Sequence, residues 1–190
     1  LLNDNGLLVT GECGDNECWH DTQAGTSHAG ETCATAYLLR RLYEMMLREG
    51  RSLYGDLMER AIHNALFASH SPDGRQIRYY TPFDGRRIYW KPDTYCCPNN
   101  FRRIVAELPE FVYYRAGGGL VINLYGTSEM SAEVRSGLFV KLRQETDYPT
   151  SGRVTVHVDP AQPAQFPVRL RIPYWCTQPR VSVNGEPPST

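Results

Sequence analysis

The fold of this 190-residue chain is decided by residues 32–69, which read TCATAYLLRRLYEMMLREGRSLYGDLMERAIHNALFAS. Apolar residues recur at helical spacing from Thr32 to Arg48, and again from Ser52 to about Ser69. Gly50 stands where a helix C-cap belongs. The pattern therefore predicts two antiparallel helices joined by a short turn.

After Ser69 the pattern predicts a short strand and a third helix, and then a series of strands. A short strand is predicted at residues 77–80, and a third helix at Pro98, because proline is favoured at the first helical position. After three glycines, apolar residues alternate with a period of two in five segments, at residues 120–125, 138–142, 154–158, 168–172 and 181–183. This is typical of a β-sandwich, and it predicts a domain boundary near residue 117, between residues 1–116 and 117–190.

Composition and charge exclude several classes of partner. The formal net charge is -1 and no basic stripe is present, so neither nucleic acid nor an anionic membrane is expected to bind. No apolar run approaches the roughly 20 residues that a membrane-spanning helix needs. The first residues, Leu1 to Asp4, lack a signal-peptide pattern and a methionine, which predicts that the chain comes from the middle of a longer one.

The six cysteines favour metal binding over disulfide bonding. They stand at positions 13, 18, 33, 96, 97 and 176, with uneven spacing and one adjacent pair. A disulfide between neighbours closes a strained ring and restricts the unfolded chain little. Reduced thiols that bind a metal are the better interpretation, and reduced thiols slightly favour a cytoplasmic location.

Four residues at two helix starts form the predicted metal site. Glu31 and Cys33 lie at the start of the first helix, and Cys96 and Cys97 lie just before the third. Three thiolates and one carboxylate fill the tetrahedral shell of a zinc ion. Residues 31 and 33 converge on one metal only if residue 31 is extended rather than helical. The alternative is that the cysteines are small buried hydrophobic residues and that Glu31 is a solvated capping carboxylate.

Several short motifs, in order along nearly the whole chain, carry a resemblance to a known family. They are GETCA at 30–34, YGDLMER at 54–60, CCPNN at 96–100 and LRIPYW at 170–175, followed by VNG at 183–185. In these motifs the chain resembles glycoside hydrolase family 127, the β-L-arabinofuranosidases and their relatives. The resemblance implies a mainly α fold with β, namely the C-terminal, closing part of an (α/α)6 barrel followed by part of a β-sandwich. With half of the barrel missing, the isolated chain is expected to be inactive.

The resemblance also implies a reaction and the residues that perform it. The reaction is the retaining cleavage of an arabinofuranoside or a related carbohydrate substrate. Zinc would be held by Glu31, Cys33, Cys96 and Cys97, and Cys96 would double as the nucleophile. Coordination to a metal keeps such a sulfur deprotonated, as a nucleophile requires.

The same resemblance implies an acid/base and a tyrosine, and the positions of two other residues add further candidates. The family acid/base follows a Thr-Gly pair, and Glu17 is the best match, with Glu12 as the alternative. Tyr79 matches a tyrosine that approaches the nucleophile, although a strand tyrosine packed in a core is equally consistent. His28 is a second substrate-binding candidate, and Asn100 is expected to brace the turn behind Cys97. Two other functions remain open: a non-catalytic zinc-stabilised module and a metal-free carbohydrate-binding protein.

Overall fold

The computed structural model of the chain describes residues 30–82, 86–91 and 95–187. Within these ranges, the α-helices come before all but two short strands. The α-helices are α1 (Thr32–Glu49), α2 (Ser52–Ala61) and α3 (Cys96–Glu107). Within the described ranges, no helix is both long enough and apolar enough to cross a bilayer.

The predicted helical hairpin is confirmed. Helix α1 ends at Glu49 because Gly50 adopts a left-handed φ of 62° and its N–H bonds to the carbonyl of Met46 at 2.9 Å. Beyond α2 the chain stays helical to Ser69, as predicted. The winding changes on the way, from a π-helical turn at Ile62–Leu66 to a 3₁₀ turn at Phe67–Ser69.

The third helix begins two residues earlier than predicted, at Cys96 rather than at Pro98. The first four N–H groups of a helix have no acceptor within it, so proline at the third helical position loses no hydrogen bond. The N–H of Asn99 makes the first bond, to the carbonyl of Tyr95 at 3.1 Å. Cys96 and Cys97 therefore lie inside the first turn of α3 and not in the loop before it.

All three helices contribute to one apolar core. A bidentate ion pair also joins α1 to the end of α3, with Arg40 Nε and Nη2 at 2.7 and 2.6 Å from the Glu107 carboxylate. The buried members of the core include Ala36, Leu39, Leu42, Met58, Ile104 and Phe111.

The connection between α2 and α3 contains a two-stranded sheet that is shorter than predicted. Strand β1 (Ile77–Arg78) pairs antiparallel with β2 (Tyr89–Trp90). The next residues leave this sheet, because Tyr80 pairs instead with Glu31 at the start of α1. Through this bridge the segment between α2 and α3 is hydrogen-bonded to the N-terminus of α1.

Two three-stranded sheets follow α3. The first has the order β3 (Tyr113–Ala116), β4 (Gly119–Ile122) and β8 (Val168–Leu170), and β4 runs parallel to β8. The second has the order β5 (Ser128–Arg135), β6 (Leu138–Thr146) and β7 (Val154–Pro160), all antiparallel. Residues of both sheets share a second apolar core, which includes Leu120, Ile122, Val134, Val140 and Leu142.

The strand predictions need three corrections. Strands β3 and β5 were not predicted. Strand β3 follows closely on a 3₁₀ turn at Leu108–Phe111 that extends α3, and β5 has few strongly apolar residues facing inward. The predicted strand at residues 181–183 is wrong, since only Val183 makes an isolated bridge, to Glu186. Gly117 and Gly118 form the turn between β3 and β4, at φ values of 55° and 70°. The division into residues 1–116 and 117–190 stays a prediction.

A buried arginine ties the helices to the sheets. The Arg171 guanidinium donates to Asp56 Oδ1 at 2.6 Å and to the Glu59 carboxylate, both on α2. Its Nε donates to the carbonyl oxygen of Asn123 at 2.5 Å, just after β4. Gly55 makes room for this arrangement, because a Cβ there would lie 2.5 Å from Arg171 Cδ. The sequence patterns did not predict this contact.

Candidate metal centre and active site

The structure brings together the four predicted metal ligands. One oxygen of Glu31 and the sulfurs of Cys33, Cys96 and Cys97 all lie within 4.8 Å of one another. Three of the four side chains are buried, and Cys96 is exposed. The cluster is therefore closed on one side and open at Cys96.

The backbone at Glu31 explains how two residues so near in sequence face the same point. Glu31 caps α1 with an extended backbone, at φ -63° and ψ 126°. Flanking hydrogen bonds hold it there, from the Thr32 N–H to the Tyr79 carbonyl (3.0 Å) and from the Thr81 N–H to the Gly30 carbonyl (2.9 Å). An extended residue 31 and a helical residue 33 can direct their side chains to one point, as the sequence reasoning required.

The other two ligands come from the first turn of α3. Cys97 is fully buried, and its sulfur lies 3.2 Å from Cys33 Sγ and 3.9 Å from Glu31 Oε1. The cysteines are free thiols, and a disulfide would require sulfurs at about 2.05 Å. Because α1 and α3 both begin at the cluster, the positive ends of two helix dipoles favour negative charge on its ligands.

Hydrogen bonding between the two buried sulfurs separates their acidities. The hydrogen bond from Cys97 is the main reason that the pKa of Cys33 falls to about 6, against burial, which alone would raise it. The Asn100 amide assists, donating to Cys33 Sγ at 3.2 Å. The hydrogen bond to Cys33, together with burial, raises the pKa of Cys97. At neutral pH the pair therefore holds a thiolate at Cys33 and one shared proton, which a metal cation can replace.

Two predicted accessory residues can be placed. Tyr79 Oη lies 3.3 Å from Cys96 Sγ, and burial, then the hydrogen bond to Cys96, raises the pKa of the phenol. The phenol keeps its proton at neutral pH and can donate to a thiolate at Cys96. Asn100 differs from its prediction: its amide contacts the sulfur of Cys33 rather than the turn behind Cys97.

An aromatic wall, made of Tyr79, Trp90 and Tyr95, stands beside Cys96. The ring centroids of Tyr79 and Trp90 lie 5.0 Å apart, and Tyr95 lies 5.9 Å from Tyr79 and 5.7 Å from Trp90. Trp90 and Tyr95 are 38% and 50% exposed, so the wall borders the open side of the cluster. Sequence reasoning missed both residues, although an aromatic directly before a cysteine pair was a visible signal.

The remaining predicted site residues lie outside the described ranges. Glu17 and its alternative Glu12, the two candidates for the acid/base, belong to residues 1–29, as does His28. Their assignments stay predictions from the resemblance.

Known families match both parts of the chain. The sequence model for the β-L-arabinofuranosidase GH127 catalytic domain matches residues 2–110. The model for the β-L-arabinofuranosidase GH127 middle domain matches residues 119–190.

Individual relatives agree with the family models. The non-reducing end β-L-arabinofuranosidase of Bifidobacterium longum subsp. longum is 31% identical, over 83% of this chain and 26% of that protein. The crystal structure of a GH127 β-L-arabinofuranosidase from Geobacillus stearothermophilus T6 superposes with a TM-score of 0.85 at 28% identity, over 99% of this chain and 32% of that one.

A second solved GH127 β-arabinofuranosidase gives a TM-score of 0.82 at 26% identity, over 98% of this chain and 33% of that one. The chain thus spans between about a quarter and a third of the length of these relatives. Because the catalytic-domain model alone matches more than half of its residues, the chain belongs to glycoside hydrolase family 127.

Proposed function

We propose that this chain carries the nucleophile and the metal ligands of a retaining, β-L-arabinofuranosidase-like glycoside hydrolase. The observation that carries the proposal is the convergence of three cysteine sulfurs and one carboxylate within 4.8 Å, with one sulfur exposed. The names of the relatives support the substrate class, a β-L-arabinofuranoside or a related sugar.

The donor set fits zinc better than it fits the hard cations magnesium and calcium. Thiolate sulfur is a soft ligand that selects zinc over the hard cations magnesium and calcium, which prefer oxygen. In a tetrahedral site with Zn–S bonds of about 2.3 Å, the sulfurs stand about 3.8 Å apart. Here the donor atoms of the described cluster are 3.2 Å apart at Cys33 and Cys97 and at most 4.8 Å apart elsewhere. A zinc ion would keep the sulfurs deprotonated at neutral pH.

Exposure supports Cys96 as the nucleophile among the four residues. Cys96 is the exposed member of the cluster, so its sulfur can reach the anomeric carbon of a bound sugar. In the first step Cys96 Sγ attacks that carbon, the bond to the leaving oxygen breaks, and Glu17 gives the leaving oxygen its proton. Tyr79 would hold the sulfur in place through its 3.3 Å hydrogen bond.

The second step returns the enzyme to its starting state. Water attacks the anomeric carbon of the glycosyl-thioether while the Glu17 carboxylate takes a proton from the water. The C–S bond breaks, and the electron pair returns to Cys96 as a thiolate. The Tyr79 hydroxyl, which keeps its proton, can stabilise the returning charge.

We further propose the architecture that the family resemblance implies. The three helices would be the closing part of an (α/α)6 barrel, with α1 and α3 bringing their N-termini to the site. The two sheets, which share one core, would be part of a β-sandwich. Limited proteolysis followed by circular dichroism of the fragments tests the proposed division. Cleavage near residue 117 that leaves two folded pieces would support it, and loss of structure in either piece would contradict it.

One observation favours a second function, a non-catalytic zinc clamp. Glu31, Cys33 and Cys97 are buried, as ligands of structural zinc sites are. The exposure of Cys96 separates the two functions, since a purely structural site has no use for an accessible thiolate. An electrophilic arabinofuranose mimic should label Cys96 if the site is catalytic and should label no cysteine selectively if it is structural.

The first prediction concerns metal content. The purified chain is expected to hold one zinc ion, and the double substitution Cys33→Ala with Cys97→Ala is expected to remove it, since two of four ligands are lost. Inductively coupled plasma mass spectrometry after mild chelation measures the ratio. Cys176→Ala is the matched control, because that thiol lies outside the cluster and its loss should leave the zinc in place. Full zinc retention in the double variant would exclude the proposed site.

The second prediction concerns the acid/base. Glu17→Gln is expected to slow hydrolysis of substrates with poor leaving groups by about 10²–10⁴-fold, the usual contribution of general acid catalysis. Aryl glycosides with acidic leaving groups should be slowed much less at the bond-breaking step, because they need little proton transfer. Steady-state kinetics on both substrate types measures the difference, with Glu12→Gln in parallel, in a protein that contains these residues within a complete family catalytic domain. Equal loss on both types, or selective loss in Glu12→Gln, would remove Glu17 from this role.

A further inference from the structure

A second candidate site is a cavity beside α2 that shares no residue with the metal cluster. Its cavity of about 450 Å³ lies between α2, the Tyr148-Pro149 turn and the segment Tyr174–Trp175. Sites for small ligands typically measure roughly 300–1,000 Å³. The cavity is thus large enough for one or two sugar rings.

Aromatic side chains that are held in place form one wall of this cavity. The Tyr148 and Trp175 rings stack with centroids 6.4 Å apart and planes inclined by 18°. Trp175 Nε1 donates to Glu59 Oε1 at 3.2 Å, and the Tyr174 N–H donates to Asp56 Oδ1 at 3.4 Å. Trp175 nevertheless remains 52% exposed. Its ring offers a fixed and accessible apolar surface.

The charges around the cavity balance. Asp56 and Glu59 carry two negative charges, and Arg60 on the rim and Arg171 beneath it carry two positive ones. Burial lowers the pKa of His63, so this side chain adds no charge at neutral pH. Both carboxylates already bind the Arg171 guanidinium, which disfavours a metal cation, and the balanced charge disfavours a phosphate.

The ligand that matches these features is neutral, has an apolar face and has hydroxyl groups along its rim. A saccharide has this character, because its ring C–H groups pack on an aromatic face while its hydroxyls bond to exposed polar groups. We propose that this cavity is a second, non-catalytic binding site for a neutral saccharide, with the ring on Trp175 and a hydroxyl directed to the exposed Asn64 amide. The proposal does not depend on the chemistry at Cys96.

The test observes Trp175 directly. The full chain has three tryptophans, so Trp19→Phe and Trp90→Phe leave Trp175 as its single tryptophan fluorophore. Titration with a neutral arabino-oligosaccharide is expected to shift the emission of Trp175 in a saturable way. A uronic acid oligosaccharide of equal length should bind at least about tenfold more weakly, because the balanced charge of the cavity does not compensate for the lost hydration of its carboxylates.

Calorimetry on single variants gives an independent measurement that needs no tryptophan removal. Trp175→Ala is expected to weaken neutral saccharide binding at this site by about tenfold, the scale of one aromatic contact. Tyr37→Ala is the matched control, because Tyr37 is an exposed aromatic on α1 outside the cavity. An unchanged Trp175 emission at saturating saccharide, or equal affinities of the two variants, would overturn the proposal. The zinc content and the labelling of Cys96 are measured independently of Trp175, so failure of the saccharide site can be distinguished from failure of the proposed catalytic function.

Discussion

Replacing Cys96 by serine is expected to abolish turnover. Loss of the nucleophile in a covalent mechanism lowers kcat by on the order of 10⁴-fold or more. A serine hydroxyl is also a poorer ligand for a soft metal and stays protonated at neutral pH. Kinetics with an aryl β-L-arabinofuranoside measure the effect, on a protein that contains these residues within a complete family catalytic domain. The 190-residue chain alone is expected to show no turnover, because much of the barrier reduction comes from holding the sugar in line with the sulfur.

A second measurement separates the nucleophilic role of Cys96 from its role as a metal ligand. An aryl glycoside with an acidic leaving group, given to the Glu17→Gln variant, should leave a glycosyl group on the peptide that contains Cys96, which mass spectrometry detects. The first step then needs little acid assistance, whereas release of the thioether needs the missing base. Cys176→Ser is the matched control and should keep full activity, since its sulfur lies outside the cluster. A covalent adduct on a carboxylate, or normal turnover in Cys96→Ser, would contradict the assignment.

Replacing Arg171 by alanine is expected to lower the free energy of unfolding by about 3–5 kcal/mol. That is the usual cost of removing one partner of a buried ion pair, because Asp56 and Glu59 would stay buried without a cation. The exposed fractions of these side chains are only 2%, 7% and 10%, so water cannot replace the lost hydrogen bonds. In a protein of this size the melting temperature should fall by roughly 6–20 °C. Urea unfolding followed by circular dichroism measures the change.

Arg169→Ala is the matched control for Arg171→Ala. Arg169 lies two residues away, is exposed and donates to the carbonyl of Ala116 at 2.9 Å, so its loss should cost about 1 kcal/mol or less. Gly55→Ala tests the same junction from the other side. Its Cβ would stand 2.1 Å from Asn123 Oδ1, and overpacking of this kind costs about 1–3 kcal/mol. Equal stability of the Arg171 and Arg169 variants would show that the junction contributes little.

Local patterns were sufficient for the helices and for most of the strands. Helical spacing predicted α1 and the helical run to Ser69 because both bury one continuous apolar face. Strand β5 escaped prediction because its inward positions include Ser128 and Ala132, which give a weak alternation of apolar residues. The start of α3 was predicted at Pro98 because proline is common at the first helical position. Proline at the third position also loses no hydrogen bond, and the helix starts at Cys96.

By itself, the sequence determined the chemistry of the candidate metal site: which four side chains offer sulfur and oxygen, and that residue 31 must be extended for them to converge. Only the tertiary structure decided that the two pairs meet, because residues 33 and 97 are 64 positions apart and no local pattern records such a contact. The same holds for the exposure of Cys96, the aromatic wall beside it, and Arg171, which binds Asp56 from 115 positions away. Side-chain spacing is a property of one element, whereas burial and ion pairing arise when separate elements pack and exclude water.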